Sequence, residues 1–293
     1  MKHQSPQSPG SPQSPGRPVV PLAREHYEEF RAFLEKACGI VLGDNKQYLV
    51  TSRLARLLGE YKVENLHGLI ELMRNNSQRG LREAVVDAMT TNETLWFRDT
   101  HPFNILREKL LPELQRSASG PIRIWSAACS SGQEPYSISM IAEEARAGSF
   151  GAAKQPVEIV ATDLSRSMLE ACKTAEYDQL SLSRGLSPER LQRFFEPVIA
   201  DRWRVKKEVR QRVRFQSLNL LDSYLTLGKF DIIFCRNVLI YFAGERKLDI
   251  LWRMHANLRP GGYLILGASE GLTDVGDYYQ MVQCSPGIIY RAI

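Results

Sequence analysis

The chain has 293 residues, 43% hydrophobic and 24% charged, with a net charge of +5. That suffices for one large domain or two ordinary ones with packed cores. Residues 184–214 hold ten Arg or Lys against four Asp or Glu, so this stretch carries +6 and the rest of the chain sums to −1. Basic character confined to one segment argues against a general nucleic-acid coat. Cys38, Cys129, Cys172, Cys235 and Cys284 are widely spaced and form no CxxC pair, as expected of reduced thiols in a cytosol. The five histidines are equally scattered, so no metal site is expected. The beginning of the chain has no apolar signal-like region, and no run approaches a transmembrane length. A cytoplasmic location is expected, and the sequons at Asn75 and Asn92 then read as accidents.

Residues 1–21 include SPQSPGSPQSPG, which has almost nothing to bury and is expected to be a disordered tail. Residues 22–90 read as a small helical domain. Tyr27, Phe30, Phe33, Leu34 and Ala37 recur at spacings of three and four. Asp44-Asn45 is placed to cap a second helix with Val50, Leu54, Leu57 and Leu58 inward, and LHGLIELM and LREAVVDAM supply two more helices. An interdomain segment spans 91–120. From 121 to 293, PIRIW, VEIVATD, VRFQSLNL, FDIIFC and GGYLILG are short apolar or β-branched runs, with helical stretches at 135–147, 166–175 and 245–257. Alternating strands and helices predict a parallel α/β sheet covered on both faces, with MVQCSPGIIYRAI as an antiparallel hairpin at its edge.

Before VRFQ there are nearly forty extra residues. They end in RWRVKKEVRQRVRF, residues 202–215, where basic residues hold most even positions and mainly apolar residues the odd ones. On a strand, such alternation shows water a row of guanidinium groups. Fourteen residues is long for one strand, so a break is expected near Glu208–Gln211. The first half then belongs to an inserted antiparallel β subdomain, about 178–211, and the second half to the central sheet.

In open parallel sheets ligands bind beyond the carboxyl ends of the strands. The first strand, 122–125, runs into Ser126-Ala127-Ala128-Cys129-Ser130-Ser131-Gly132-Gln133-Glu134, a small-residue turn that lets a backbone approach a ligand. It is neither a P-loop nor GxGxxG. The second strand ends at Asp163, 31 residues past Gly132, where an acid commonly holds ribose hydroxyls.

TTNETLWFRD (90–99), AACSSGQEPYSISM (127–140), ATDLS (161–165), LNLLD (218–222) and FDIIFCRNVLIYF (230–242) follow in this order. With the helical domain and the basic insertion, they closely resemble the chemotaxis receptor-glutamate methyltransferases of the CheR family. The resemblance covers about residues 22–293. It implies an enzyme with a class I, Rossmann-like methyltransferase domain that uses S-adenosylmethionine, releases S-adenosylhomocysteine and needs no metal. By position, Asp163 would hold the ribose and Glu134 the methionyl amino group, with Asn219 and Leu220 on the adenine side. Arg236 and Asn237 would lie on the far side, and Asn92, Thr94 and Arg98 would reach in from the interdomain segment. Arg98 and Tyr241 would be catalytic, Arg98 aligning the acceptor carboxylate and Tyr241 lying beside the methyl. Trp96 stands where the family usually has a smaller aromatic.

The partner so implied is the cytoplasmic domain of a chemoreceptor, to whose membrane arrays the enzyme would be recruited. Lys46, Arg53 and Arg56 fall within about 80° on one helix face and are candidate receptor contacts. So are Arg204, Arg212 and Arg214 of the basic segment. A nucleic-acid methyltransferase would place stacking aromatics among these charges, but Trp203 and Phe215 belong to the opposite face. A non-catalytic sensor of the cofactor fits the Asn92, Arg98 and Tyr241 set less well. Some relatives capture a receptor C-terminal pentapeptide through a glycine-containing loop. The matching segment, 196–202, has no glycine and begins Glu-Pro, so no dependence on such a tether is expected.

Overall fold

The computed structural model describes residues 23–74, 79–147, 155–272 and 276–293. The expected disordered tail and the Asn75 sequon lie outside the described residues. Four helices form the first layer: α1 (Arg24–Cys38), α2 (Gln47–Glu60), α3 (Leu66–Arg74) and α4 (Arg79–Met89). Their three- and four-residue apolar spacing converges on one core, where Phe30, Leu34, Val50, Leu54, Leu69 and Val85 are buried. Asp44 and Asn45 do not cap α2. Lys46 holds the cap position with no side-chain bond, and Asp44 instead pairs with Arg31 of α1. A cross-helix cation has won the carboxylate from the local backbone.

A connecting run leads through α5 (His101–Ile105), a π-helical turn at Leu106–Leu110 and α6 (Leu111–Ser117) into the main sheet. The strands there are β1 (Ile122–Ala127), β2 (Val157–Asp163), β6 (Val213–Ser217), β7 (Phe230–Cys235), β8 (Leu258–Leu266), β9 (Tyr279–Gln283) and β10 (Ile288–Ala292). Their order is β6-β2-β1-β7-β8-β10-β9, parallel through β8, with β10 and β9 antiparallel at the edge. The edge hairpin is as the sequence predicts. The packing helices are α7 (Gln133–Ala147), α8 (Arg166–Thr174) and α12 (Gly244–Asn257). Every residue of β7 is buried, as a strand covered on both faces requires. Register aligns the carboxyl ends: Ala127 lies opposite Thr162 and Cys235, Asp163 opposite Ser217, and Cys235 opposite Leu266. Whatever follows these ends is gathered at one edge of the sheet.

The insertion carries β3 (Glu176–Asp178), α9 (Gln179–Ser183), α10 (Pro188–Phe194), β4 (Phe195–Pro197) and β5 (Arg202–Val205), then the turn α11 (Lys207–Arg210). Its strands form a separate antiparallel sheet, β3-β5-β4. The break expected near 208–211 is therefore α11, and β6 joins the central sheet. That break also removes the continuous guanidinium row. Arg204 pairs with Glu176, and Arg212 is largely buried against Glu143, so two of the expected surface cations are used internally. Burial would raise the Glu143 carboxyl, but bonds from Arg146 and Arg212 outweigh it and hold it below the usual range. Arg214 remains exposed on β6.

Trp96 is the joint between insertion and interdomain segment. It is buried with its ring edge-on to Tyr177 and Phe195, at 4.8 and 5.3 Å. Its backbone N–H donates to the Arg184 carbonyl. Gly185 has φ +96°, and a Cβ there would come within 2.1 Å of the Trp96 carbonyl oxygen. Gly185→Ala should therefore lower stability by at least about 2 kcal/mol, the combined cost of left-handed strain and a backbone clash. Urea unfolding measures it, and wild-type stability would show that the joint yields.

Candidate active site

A cavity of about 340 Å³ opens between the helical layer and the carboxyl ends of the main strands. Two contacts seat the helical layer on those ends. Val41 donates its backbone N–H to the Tyr241 carbonyl at 2.9 Å, and Asn219 Nδ2 donates to the Ala37 carbonyl at 2.8 Å. All ten residues assigned from sequence to cofactor or catalysis line this cavity: Asn92, Thr94, Arg98, Glu134, Asp163, Asn219, Leu220, Arg236, Asn237 and Tyr241. Lys46 and Arg53 line it too, whereas Arg56, Arg204, Arg212 and Arg214 do not.

The turn after β1 is built from alternating left-handed residues: Ala128 at φ +59°, Ser130 at +50° and Gly132 at +94°. Small side chains tolerate this conformation best, and it exposes backbone N–H groups. Asp163 Oδ2 accepts from Ser130 N at 2.7 Å and Oδ1 from Ser165 N at 2.8 Å. Each oxygen keeps a lone pair that can accept from a diol. Burial pushes this carboxyl up, against the lowering effect of the Ser165, Ser130 and Leu164 backbone bonds. The Asn92 carbonyl accepts from Ser130 Oγ at 2.9 Å, tying the interdomain segment to the same turn.

Glu134 lies in the first turn of α7, where the helix dipole favours a carboxylate. Ser126 Oγ donates to its Oε1 at 2.8 Å, and Arg236 donates to its Oε2 at 2.9 Å. The other terminal nitrogen of Arg236 reaches both the Arg98 carbonyl and Asp99 Oδ2 at 2.7 Å. The Arg236 side chain is only 2% exposed, so its terminal nitrogens serve the protein. Asp99 thus pairs with Arg236 and not with its neighbour Arg98. Phe97, Asp99 and Thr100 all have positive φ, between 49° and 64°, so Arg98 sits in a strained and specific backbone. Its guanidinium donates to the Glu93 carbonyl at 3.1 Å and forms no ion pair among the described residues, while the Glu93 carboxylate nearby is bonded by Arg184. Asn237 Oδ1 is buried without a hydrogen-bond partner among the described residues, an acceptor suited to an incoming donor.

Sequence reasoning considered Asp99 only as a surface ion partner of Arg98, and passed over Glu270. Glu270 lies three residues beyond the Gly267 that closes the GGYLILG run, and its carboxylate accepts from four backbone N–H groups around the cavity. An acid just past a strand end was the available signal. Among the described residues no group of three or more His, Cys, Asp or Glu could hold a metal ion. No described helix is long and apolar enough to cross a membrane.

Strand order, the small-residue turn after β1 and the acid ending β2 define a class I methyltransferase domain. Residues 92–288 match the family described as CheR methyltransferase, SAM binding domain, and residues 25–90 match CheR methyltransferase, all-alpha domain. Chemotaxis protein methyltransferase 1 of Pseudomonas aeruginosa is 62% identical, over 92% of this chain and 98% of that protein. Chemotaxis protein methyltransferase Cher2 of Pseudomonas putida is 61% identical, over 91% and 97%, and the Escherichia coli chemotaxis protein methyltransferase is 35% identical, over 86% of each. The chain belongs to the CheR family of S-adenosylmethionine-dependent chemotaxis methyltransferases.

The residues present fit that cofactor: Asp163 offers acceptors for a ribose diol, Glu134, oriented by Arg236, offers a carboxylate for an ammonium, and Asn237 offers a buried acceptor. Asp163→Ala should weaken S-adenosylhomocysteine binding by about 1–3 kcal/mol, and unchanged affinity by calorimetry would remove Asp163 from the site. Because its folded-state pKa is raised, the wild-type carboxylate is fully present only above that value. Affinity should fall as pH is lowered, beginning above the range where an ordinary aspartate, about 3.9, titrates.

Proposed function

We propose that this enzyme transfers the methyl group of S-adenosylmethionine to glutamate side chains of a chemoreceptor cytoplasmic domain, giving glutamyl methyl esters. The observation that carries the reading is Arg98. It lines the cavity, lies in a strained backbone, and forms no ion pair among the described residues, the nearby Glu93 carboxylate being held by Arg184. A substrate carboxylate would supply its partner. When bound, the cofactor supplies an electrophilic methyl on a sulfonium. A glutamate carboxylate has a pKa of about 4.3 and is already a nucleophile at neutral pH, so no base has to be found for it. The reaction turns an anion and a cation into two neutral products. A strong charge clamp would favour reactants over the transition state, so the residues act chiefly by orienting the carboxylate and excluding water. Arg98 aligns the carboxylate, and Tyr241, partly buried beside Val41, borders the methyl end.

The acceptor approaches over α2. Arg53 donates to the Met89 and Thr90 carbonyls at 2.6 and 3.0 Å, neutral partners that leave its charge uncompensated at the cavity. Lys46 is exposed on the same rim, and Arg56 is exposed with an i,i+4 partner in Glu60, a pair of small energetic weight. The basic ribbon contributes less than its composition suggests, through exposed Arg214 and half-exposed Arg204. We also propose that no C-terminal pentapeptide tether is needed. The β4–β5 turn is closed by Val198 N donating to the Arg202 carbonyl at 2.8 Å, with Ala200 and Asp201 left-handed. A turn this short and internally bonded is poorly suited to wrapping a peptide. The enzyme would act in the cytoplasm at receptor arrays.

Labelled cofactor with a receptor cytoplasmic fragment tests the reading: label should enter the fragment and leave it as methanol in mild base, as an ester does. Arg98→Ala should cut transfer on the order of 100-fold while leaving folding and most cofactor affinity intact. Wild-type turnover by a folded, cofactor-binding variant would refute the assignment. Transfer should fall steeply with ionic strength and be nearly indifferent to loss of the fragment's last five residues. Micromolar binding of the free pentapeptide to residues 196–204 would restore the tether.

A further inference from the structure

Glu270 sits beyond β8, four residues after that strand ends. Its Oε2 accepts from Asn237 N at 2.7 Å and Gly267 N at 2.9 Å, and its Oε1 accepts from Val238 N at 2.9 Å and Ile240 N at 3.3 Å. Its own backbone N–H donates to the Gly267 carbonyl at 2.9 Å, closing the loop that presents the carboxylate. The segment so held begins with left-handed Asn237, φ +57°, and winds through a 3-10 turn, Leu239–Tyr241. One carboxylate therefore takes the place of the hydrogen bonds that this irregular segment cannot make within a strand or helix. Space around it is closed as well. A Cβ on Gly267 would come within 2.7 Å of Glu270 Oε2 and 2.9 Å of both Asn237 nitrogens.

The segment matters because of its two ends. Asn237 lines the cavity with a buried Oδ1 that has no partner among the described residues, and Tyr241 lines the same cavity four residues later. We infer that Glu270 is a positioning residue for methyl transfer: its carboxylate sets the backbone from Asn237 to Tyr241, and so sets where both side chains meet the cofactor. The inference rests on the reading of this cavity as the cofactor and methyl-transfer site. Glu270 itself touches neither reactant.

Glu270→Gln separates positioning from mere bulk. Glutamine keeps the shape but has one oxygen, so its amide nitrogen faces N–H groups that need an acceptor. In the full-length enzyme, S-adenosylhomocysteine affinity is measured by calorimetry, kcat and KM with a receptor fragment by methyl incorporation, and Tm by melting. The expected result is a melting temperature within a few degrees of wild type, with cofactor affinity and kcat each down about 10- to 100-fold. KM for the fragment should change less than kcat, since Glu270 bonds none of the proposed docking cations Lys46, Arg53 and Arg56. Gly267→Ala, which pushes the carboxylate aside from the other direction, should give the same split. A folded Glu270→Gln enzyme with wild-type affinity and kcat would overturn this inference alone, whereas a wild type that binds no S-adenosylhomocysteine would overturn the cavity reading with it. Should Glu270→Gln not fold, amide exchange in the cofactor-free wild type decides. The Val238 and Ile240 amides exchange slowly if the carboxylate holds them, and exchange at free-loop rates contradicts the inference.

Discussion

A single buried guanidinium organises the cavity edge of the sheet. Arg236, at the carboxyl end of β7, is 2% exposed and lies between Glu134 of α7 and Asp99 of the interdomain segment, and it also bonds the Arg98 carbonyl. A charge this deep is tolerable only with its partners in place, since removing one leaves another ion unpaired at a cost of several kcal/mol. Three segments distant in sequence are thereby held in one arrangement. The strained backbone at Phe97, Asp99 and Thr100 follows from the same demand, because the chain must turn sharply to present both Asp99 and the Arg98 carbonyl to Arg236.

Charge in the cavity is divided between its floor and its mouth. On the floor Glu134 is compensated by Arg236, and Asp163 is wrapped by the backbone N–H groups of Ser130 and Ser165. At the mouth Lys46, Arg53 and Arg98 form no ion pair among the described residues, and the Glu93 carboxylate beside them is taken by Arg184. A cationic ligand fits the acceptors of the floor, and an anionic acceptor fits the mouth. That polarity accounts for how a sulfonium and a carboxylate could be brought together without a clamp that opposes their neutralisation. The basic sequence segment, by contrast, is partly spent inside the protein. Arg204 and Arg212 were counted as surface cations, yet Glu176 and Glu143 had already claimed them.

Much of this was legible in the chain. Short apolar runs and apolar spacings near four located the strands and helices, and the small-residue turn after β1 with Asp163 at the end of β2 pointed to the sheet edge where the cavity lies. The ordered motifs from Thr90 to Phe242 named the family and the ten residues that the fold then brings to one cavity. What escaped are contacts between groups far apart in sequence. Asp44 left its expected capping role because Arg31 lies across the helix pair. Arg204 and Arg212 left the expected guanidinium row because Glu176 and Glu143 lie against them. Glu270 went unremarked because its partners are backbone amides, which carry no signature in residue type.

The organising role of Arg236 is tested most directly by a double-mutant cycle of Arg236→Met and Glu134→Gln, read as S-adenosylhomocysteine affinity and as unfolding free energy in the full-length enzyme. Each single change should be costly, and the double change should cost less than their sum, with a coupling of about 1–3 kcal/mol. Strictly additive effects would contradict it, and would mean that Glu134 and the Arg98 segment are held in place by something other than this buried cation.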